Sequence, residues 1–272
     1  MERRGITMNV HPHDLLRFDV SGLRAISAQQ PLPVWLSFDH PCQQGTAATK
    51  TAAKKTAVQT GWAVVRRALH RECEHTGASL IPVGLRGANK QQRYAAWLEA
   101  DAVLESRSPE QLAIPAQQRM ATSAHPVWQA LQGLATSLNN LSHQNNSHQN
   151  NSASWGITGS LGFELATGIE QLTDSSDLDL LIRAPQPLSP AQLQSLHTLC
   201  WQQACRVDIQ IETPVGAFAL KEWLSDSHTL LLKTATGPVL TSDPWQQVQP
   251  QKQVQPQTTG TNTNTTTRGA IA

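Results

Sequence analysis

Two aspartates in the second half of the chain have a spacing that suits a divalent cation. Asp177 and Asp179 are two residues apart in the run Ser176-Asp-Leu-Asp-Leu-Leu-Ile, which has the composition of a strand. On a strand both carboxylates point to one face, and Leu178 and Leu180 point to the other. Two carboxylates this close repel each other unless a cation lies between them. The pair therefore predicts a site for Mg²⁺ (or Mn²⁺), held together with substrate phosphates.

Asp208 is a third candidate, in the run Val-Asp-Ile-Gln-Ile. Its apolar neighbours should point to the core, so its carboxylate shares the polar face of a strand with Gln210. A neighbouring strand could bring it beside the first pair. There we expect it to bind the metal or to act as general base for an attacking hydroxyl.

A glycine and a serine precede the aspartates, at the junction of a predicted strand and a predicted helix. Backbone N–H groups at such a junction bind phosphate oxygens; Gly159 allows close approach, and the hydroxyl of Ser160 adds a donor. Sixteen residues separate Ser160 from Asp177, so we expect a loop at 171–175. The pattern favours an enzyme that binds the phosphates of its substrate.

The elements that must position these residues alternate between strand and helix. From about residue 125 to 245, the pattern predicts strands at 155–158, 178–182 and 206–212, and helices at 126–138, 163–170 and 190–204. Pro190 suits the first turn of the last helix, with Ser189 as its cap. This block is expected to be the catalytic domain.

A first block runs from about residue 10 to 120. Its pattern predicts strands at 33–38, 62–67 and 79–85, and a helix at 91–105. The predicted fold class is therefore α+β, with a C-terminal mixed sheet and helices and a smaller N-terminal α/β domain. Three segments look non-globular: residues 45–60, a low-complexity insertion at 139–154 that contains SHQNN twice, and a tail at 246–272.

Charge is distributed unevenly. The net charge is +1, but residues 1–125 hold 15 basic and 10 acidic side chains, and residues 126–272 hold 6 and 10. This balance argues against a general binder of nucleic acid or membrane. The N-terminal excess suggests partners for phosphates or for an acidic protein, and a solvated basic face is the equal alternative. The candidates are Arg66, Arg67, Arg86, Arg93 and His13, the last with a structural hydrogen bond as its alternative role.

Four scattered cysteines form no disulfide framework and no zinc motif. The N-terminus has arginines but no apolar stretch behind them, so a secretory signal is not expected, and no apolar run is long enough to span a bilayer. We therefore expect a cytoplasmic protein with reduced thiols.

The ordered combination of strand, Gly-Ser, helix, Asp-x-Asp and a lone Asp in an apolar strand resembles the DNA polymerase β-like nucleotidyltransferase superfamily. A narrower resemblance is to the phosphoribosyl-dephospho-CoA transferases of malonate decarboxylase, over about residues 10–245. It rests on His11-Pro-His-Asp-Leu-Leu, Val64-Val-Arg-Arg-Ala, Ile81-Pro-Val-Gly-Leu-Arg-Gly, Gln91-Gln-Arg-Tyr-Ala and Thr158-Gly-Ser-Leu-Gly-Phe-Glu-Leu-Ala-Thr-Gly.

This resemblance implies transfer of 2′-(5″-phosphoribosyl)-3′-dephospho-CoA from its triphosphate precursor to a serine of the apo acyl carrier protein of malonate decarboxylase, with release of pyrophosphate. It also places catalytic aspartates at Asp177 and Asp179. Two alternatives remain open. One is a nucleotidyltransferase that uses an ordinary nucleoside triphosphate, and the other is a non-catalytic subunit that binds the carrier.

Overall fold

The computed structural model describes residues 9–27, 29–36, 59–73, 77–87, 91–119, 123–143, 152–225 and 228–246. Its first part is an antiparallel sheet with the strand order β2-β6-β5-β3-β1-β7, and β4 pairs with β5. The strands are β1 (Leu15–Asp19), β2 (Leu23–Ala25), β3 (Thr60–Val65), β4 (Arg71–Glu72), β5 (Ser79–Arg86), β6 (Arg93–Glu99) and β7 (Val103–Arg107).

The two faces of this sheet have different roles. Leu16 and Phe18 of β1 are buried on one face, in a core that this sheet forms with its own loops. Leu15 of β1 and Trp62 of β3 lie on the other face. They form a separate apolar cluster with residues from the second part of the chain. Because successive side chains of β1 point to opposite faces, the strand contributes to the core of its own sheet and to the interface with the second part of the chain.

Three predictions for this part were wrong. The segment 91–105 is not a helix but β6 and β7. The described residues from 9 to 107 contain no α-helix, so they form an all-β sheet and not the expected α/β arrangement. Strand β6 is apolar on both faces, because Ala96 and Leu98 pack in the core while Trp97 is covered by Arg71 on the opposite side. Such a run imitates helical spacing.

The predicted strand at 33–38 is not formed at residues 33–36. These residues form a turn, in which the Leu36 N–H donates to the Pro33 carbonyl (2.9 Å). Strands β3 and β5 confirm the other two predicted strands.

The second part is a mixed six-stranded sheet with the order β13-β12-β11-β10-β9-β8. In it β9 and β10 run parallel, and the other pairs are antiparallel. The strands are β8 (Ser154–Ile157), β9 (Leu178–Arg183), β10 (Val207–Glu212), β11 (Ala217–Ala219), β12 (Leu230–Thr234) and β13 (Gly237–Thr241). The α+β class and the mixed C-terminal sheet are confirmed.

The helices are α1 (Pro109–Arg119), α2 (Pro126–His143), α3 (Gly159–Thr167), α4 (Pro190–Cys200) and the single turn α5 (Leu220–Trp223). The predicted cap of α4 is confirmed, since Ser189 accepts from the Gln192 N–H in a capping box. Helix α1, strands β11 to β13 and α5 were not predicted. Within the described ranges, no helix combines the length and the apolarity needed to cross a membrane.

Helix α2 is longer than predicted. Residues 139–143, assigned above to the low-complexity insertion, form its last turn. Leu141 is buried in the core, and the Asn139 side-chain oxygen accepts a hydrogen bond from the Trp155 indole (3.0 Å). These contacts extend the helix into the polar tract. The rest of the repeat at 144–151, most of the 45–60 tract and the tail from 247 lie outside the described residues.

Candidate active site

The three aspartates meet at one end of the parallel strand pair. Asp208 of β10 is the register partner of Asp179 of β9, and Asp177 lies one residue before β9. Leu178 and Leu180 are buried on the opposite face, as predicted. The period of two along each strand therefore gathers the carboxylates on one surface.

The Gly-Ser segment lies directly against Asp179. The Thr158 N–H donates to the Asp179 carbonyl (3.0 Å), and Gly159 at the start of α3 has φ +63°. A Cβ atom on Gly159 would lie 1.9 Å from Oδ2 of Asp179. Glycine is required here both for the left-handed backbone and for the close approach of the carboxylate.

A loop joins α3 to β9, as the long spacing predicted. Its path is set by Glu164, whose Oε2 accepts from the N–H groups of Gln171 (3.0 Å) and Leu172 (3.2 Å). Ser176, buried just before Asp177, accepts from the Thr173 N–H (2.9 Å). The extra residues thus form a hydrogen-bonded turn. This turn places Asp177 and Asp179 near the N-terminal end of α3.

The carboxylates repel one another. Burial, followed by the charges of Asp208 and Asp177, raises the pKa of Asp179 above its usual value, and Arg86 and Arg206 oppose the rise. Arg206 lies between the outer two carboxylates, 2.6 Å from Asp208 and 3.8 Å from Asp177. The Arg206 guanidinium therefore already offsets part of the negative charge of this cluster.

The donor chemistry of the cluster fits a hard divalent cation, since it consists of carboxylate oxygens whose repulsion a cation relieves. In the described part of the chain, however, no three His, Cys, Asp or Glu side chains stand close enough together to hold a metal as placed. The Arg206 side chain, which is 60% exposed, occupies the space between Asp177 and Asp208. Binding of a divalent ion there requires this guanidinium to turn outward.

A cavity of about 940 Å³ separates the two sheets at this point. Its C-terminal wall includes Asp177, Asp179 and the Gly159-Ser160 segment. The opposite wall is the end of the N-terminal sheet, which contributes all four of the predicted arginines: Arg66, Arg67, Arg86 and Arg93. This is a volume in the range of ligand pockets, with acids on one wall and cations on the other.

Two of these arginines face each other across a strand pair. Arg86 of β5 is the register partner of Arg93 of β6, and the Arg86 guanidinium lies 5.6 Å above the ring of Phe163 in α3. Like charges placed directly opposite on antiparallel strands are unfavourable by themselves. Together they present two positive charges to a polyanion in the cavity.

Arg67 has a different role from its neighbours. Its guanidinium is 2.7 Å from Glu212, which is buried and also pairs with its register partner Arg183. Arg183 in turn binds Glu110 (2.7 Å) and Asp14 (3.4 Å). Asp14 and Arg67 belong to the N-terminal part, so this network joins the two sheets. Arg67 lines the cavity, but its guanidinium is engaged in the ion pair with Glu212 that joins the two sheets.

His13 is held by the same junction. The Pro12 carbonyl accepts from Arg183 (3.2 Å), and the Gln210 amide N–H donates to Nε2 of the His13 ring (2.8 Å). Burial, followed by the charges of Arg67, Arg183 and Lys233, lowers the pKa of His13 to about 4, so the ring is neutral at pH 7. Its φ is +75°, a strained value for a residue with a side chain.

A second cavity, of about 860 Å³, opens on the other side of Asp179. Residues shared with the first cavity are His13, Thr158, Asp179, Gln210 and Lys233. Asp208 lines this second cavity, together with α4, the segment after it and α5. The Cys200 thiol is also here, but burial and the charge of Asp208 raise its pKa to about 11, so it is not a thiolate nucleophile.

The sequence had thus singled out most of the cluster but not all of it. Asp177, Asp179, Gly159, Ser160, His13 and the four arginines come together in the first cavity, and Asp208 lies next door in the second. Arg206 was missed although it lies two residues before Asp208 on the same face. The Arg183–Glu212 pair also follows the polar period of β9 and β10, whereas Lys221 and Lys233 carry no sequence signal.

Carboxylates and a helix N-terminus that face arginines are typical of an enzyme site for a phosphorylated substrate. Comparison with known families gives the narrower class. Residues 11–109 match the N-terminal domain and residues 111–244 the C-terminal domain of phosphoribosyl-dephospho-CoA transferase MdcG. The chain belongs to this family of transferases.

Curated relatives agree. The chain is 41% identical to a phosphoribosyl-dephospho-CoA transferase of Pseudomonas putida strain GB-1, over 67% of this chain and 79% of the relative. It is 39% identical to that of Azotobacter vinelandii, over 74% and 88%. A Pseudomonas aeruginosa relative of the same name is 32% identical over 86% and 93%. No solved structure matches the chain.

Proposed function

We propose that this protein transfers the phosphoribosyl-dephospho-CoA group from a triphosphate donor to a serine of an apo acyl carrier protein, the one that serves malonate decarboxylase. One observation carries this proposal. Asp179 lies at the junction of two cavities, and the first of them holds the helix N-terminus and the arginines that a triphosphate requires. The family relationship supports the identity of the transferred group.

The chemistry is an in-line displacement at phosphorus. The serine oxygen forms a bond to the α-phosphorus, the bond from that phosphorus to the bridging oxygen breaks, and pyrophosphate leaves with the electron pair. Charge neutralisation and alignment matter more here than covalent help. Arg86, Arg93 and the N–H groups at Ser160 are placed to neutralise the leaving pyrophosphate. Asp208, on the other side of Asp179, is placed to take the serine proton.

We also propose that Asp177, Asp179 and Asp208 hold Mg²⁺ (or Mn²⁺), as the resemblance to the DNA polymerase β-like nucleotidyltransferases implies. When bound, the ion supplies positive charge for the attacking and leaving oxygens. Arg206 would turn its exposed guanidinium toward solvent to leave these carboxylates free for the ion. We place the enzyme in the cytoplasm, since Cys200 and Cys205 are free thiols.

The proposal is tested by donor choice. Purified protein, apo carrier and Mg²⁺ are incubated with the triphosphoribosyl-dephospho-CoA donor or with ATP, and the carrier is weighed intact. We expect the phosphoribosyl-dephospho-CoA increment with the first donor only. An adenylylated carrier would favour the ordinary nucleotidyltransferase instead. An unchanged carrier in both reactions, although donor and carrier bind, would favour the non-catalytic subunit.

A further inference from the structure

A tryptophan stands exposed at the rim of the second cavity. Trp201 caps the C-terminal end of α4 and is 79% exposed, although it is a large apolar side chain. Its indole N–H donates to Nε2 of His197 (3.0 Å), and the two rings meet edge to face at 5.9 Å. The indole is therefore held in one orientation, which is the state in which an aromatic side chain anchors a partner at low entropic cost.

Two exposed cations share this rim. The side chains of Arg206 and Lys221 are 60% and 62% exposed, and both lie near Asp208, at 2.6 and 3.8 Å. With Trp201 and His197 they form what we call the Trp201 surface. Both cations pair with Asp208 in this structure but are mostly exposed, so they stay within reach of an acidic partner. A fixed aromatic ring beside exposed cations is typical of a protein interface that meets an acidic surface.

The position of the Trp201 surface indicates which of the two reactants it contacts. In-line displacement requires the nucleophile to approach opposite the leaving pyrophosphate. The arginines and the Gly159-Ser160 segment line the first cavity, so the pyrophosphate leaves there. The hydroxyl must then arrive through the second cavity, which leads from Trp201 and Lys221 to Asp208 and Asp179.

We infer that the Trp201 surface docks the carrier protein, through an acidic surface beside its acceptor serine, and so directs that serine into the second cavity. This inference rests on the proposed function. The donor does not need this surface for its reacting end, because the first cavity already has the volume and the charge that its triphosphate requires. The exposed Trp201 surface at the rim of the second cavity therefore remains available for a protein partner.

The test is a comparison of Michaelis constants. Trp201→Ala should raise the KM for the carrier about 30-fold, the loss typical of a central aromatic anchor, and leave the donor KM within about twofold. Lys221→Glu should raise the carrier KM more than Lys221→Arg does. Ile114→Ala, which truncates an apolar side chain of similar exposure (64%) on α1, is the control and should change neither constant.

A second measurement separates docking from chemistry. A carrier with its serine replaced by alanine should still bind, and should change the fluorescence of the wild type more than that of Trp201→Phe. If wild-type enzyme does not modify the carrier, the proposed function fails. If it does, but Trp201→Ala keeps the carrier KM within about twofold, the docking surface is wrong. A rise in the donor KM instead would place the donor base on Trp201 and would also overturn the inference.

Discussion

Asp179 lies opposite Asp208 across the parallel strands β9 and β10, and Asp179 lines both cavities whereas Asp208 lines the second. In the proposed mechanism, the register of this strand pair divides the site into a side for the leaving group and a side for the acceptor. The same relationship leaves Asp179 in a repulsive environment, because it is buried beside two other carboxylates.

Asp179→Asn should abolish transfer and stabilise the fold. Loss of one cation ligand removes several kcal/mol of transition-state stabilisation, so the rate should fall by about 10³-fold or more. The pKa of Asp179 is raised in the folded state, so its ionisation at neutral pH costs stability, and this cost disappears as pH falls through the folded pKa.

The melting temperature of Asp179→Asn at pH 7 should therefore exceed that of the wild type, and the difference should shrink in acid. Thermal unfolding at several pH values, beside a transfer assay, checks both parts. An active variant, or one that is less stable at pH 7, would contradict this account of the cluster.

Gly159→Ala should inactivate the enzyme. The methyl group would meet Oδ2 of Asp179 at 1.9 Å, so the carboxylate must move, and displacement of a catalytic group by about 1 Å can cost about 10²-fold in rate. Gly168→Ala is a matched control. Gly168 also has positive φ (+73°), but nothing lies within 4 Å of the added carbon.

Both glycine variants should lose about 1 kcal/mol of stability from backbone strain, measured by urea unfolding. Only Gly159→Ala should lose activity beyond that. Equal transfer rates for the two variants would mean that the contact with Asp179 has no catalytic importance.

The arginines of the first cavity should separate into two groups. Arg86→Gln and Arg93→Gln should each raise the donor KM about tenfold, since each removes a charge-assisted contact to phosphate. Arg67→Gln should instead lower the melting temperature, because it leaves Glu212 with one partner fewer at the junction of the two sheets. Arg71→Gln, on β4 outside the cavity, is the control. A donor KM that rises only for Arg67→Gln would reverse the assignment.

His13 should make the protein sensitive to acid. Its pKa falls from 6.5 to about 4 on folding, so the unfolded chain binds a proton that the folded protein does not. Above pH 6.5 His13 is neutral in both states and does not affect the free energy of unfolding. As pH falls from 6.5 toward 4, that free energy decreases by about 3 kcal/mol, because only the unfolded chain takes up the proton. Unfolding by urea between pH 7 and 4 should show this slope in the wild type and a flatter one in His13→Asn. Parallel slopes would show that His13 is not responsible.

The sequence predicted the polar face of the second sheet because a strand has a period of two. Asp177, Asp179 and Asp208 needed only that period and a parallel neighbour to be placed together. The first sheet was harder. Strand β6 is covered on both faces, so its apolar run has no alternation from which a strand could be recognised.

The second cavity could not have been predicted. Trp201 follows a helix whose end is not marked by glycine, and Lys221 lies on a single turn between short strands. That they line one cavity with Asp208 is a consequence of tertiary packing, which local patterns do not encode. The same is true of Arg67, whose partner Glu212 is 145 residues away in the sequence.

The central claim is that one pyrophosphate leaves for each carrier serine that is modified. The direct measurement follows both products in one reaction, pyrophosphate by a coupled assay and the carrier by intact mass. The account predicts equal amounts throughout the time course, and neither product with Asp179→Asn or with a carrier whose serine is replaced by alanine. Pyrophosphate released without modification of the carrier, or a modified carrier without pyrophosphate, would contradict it.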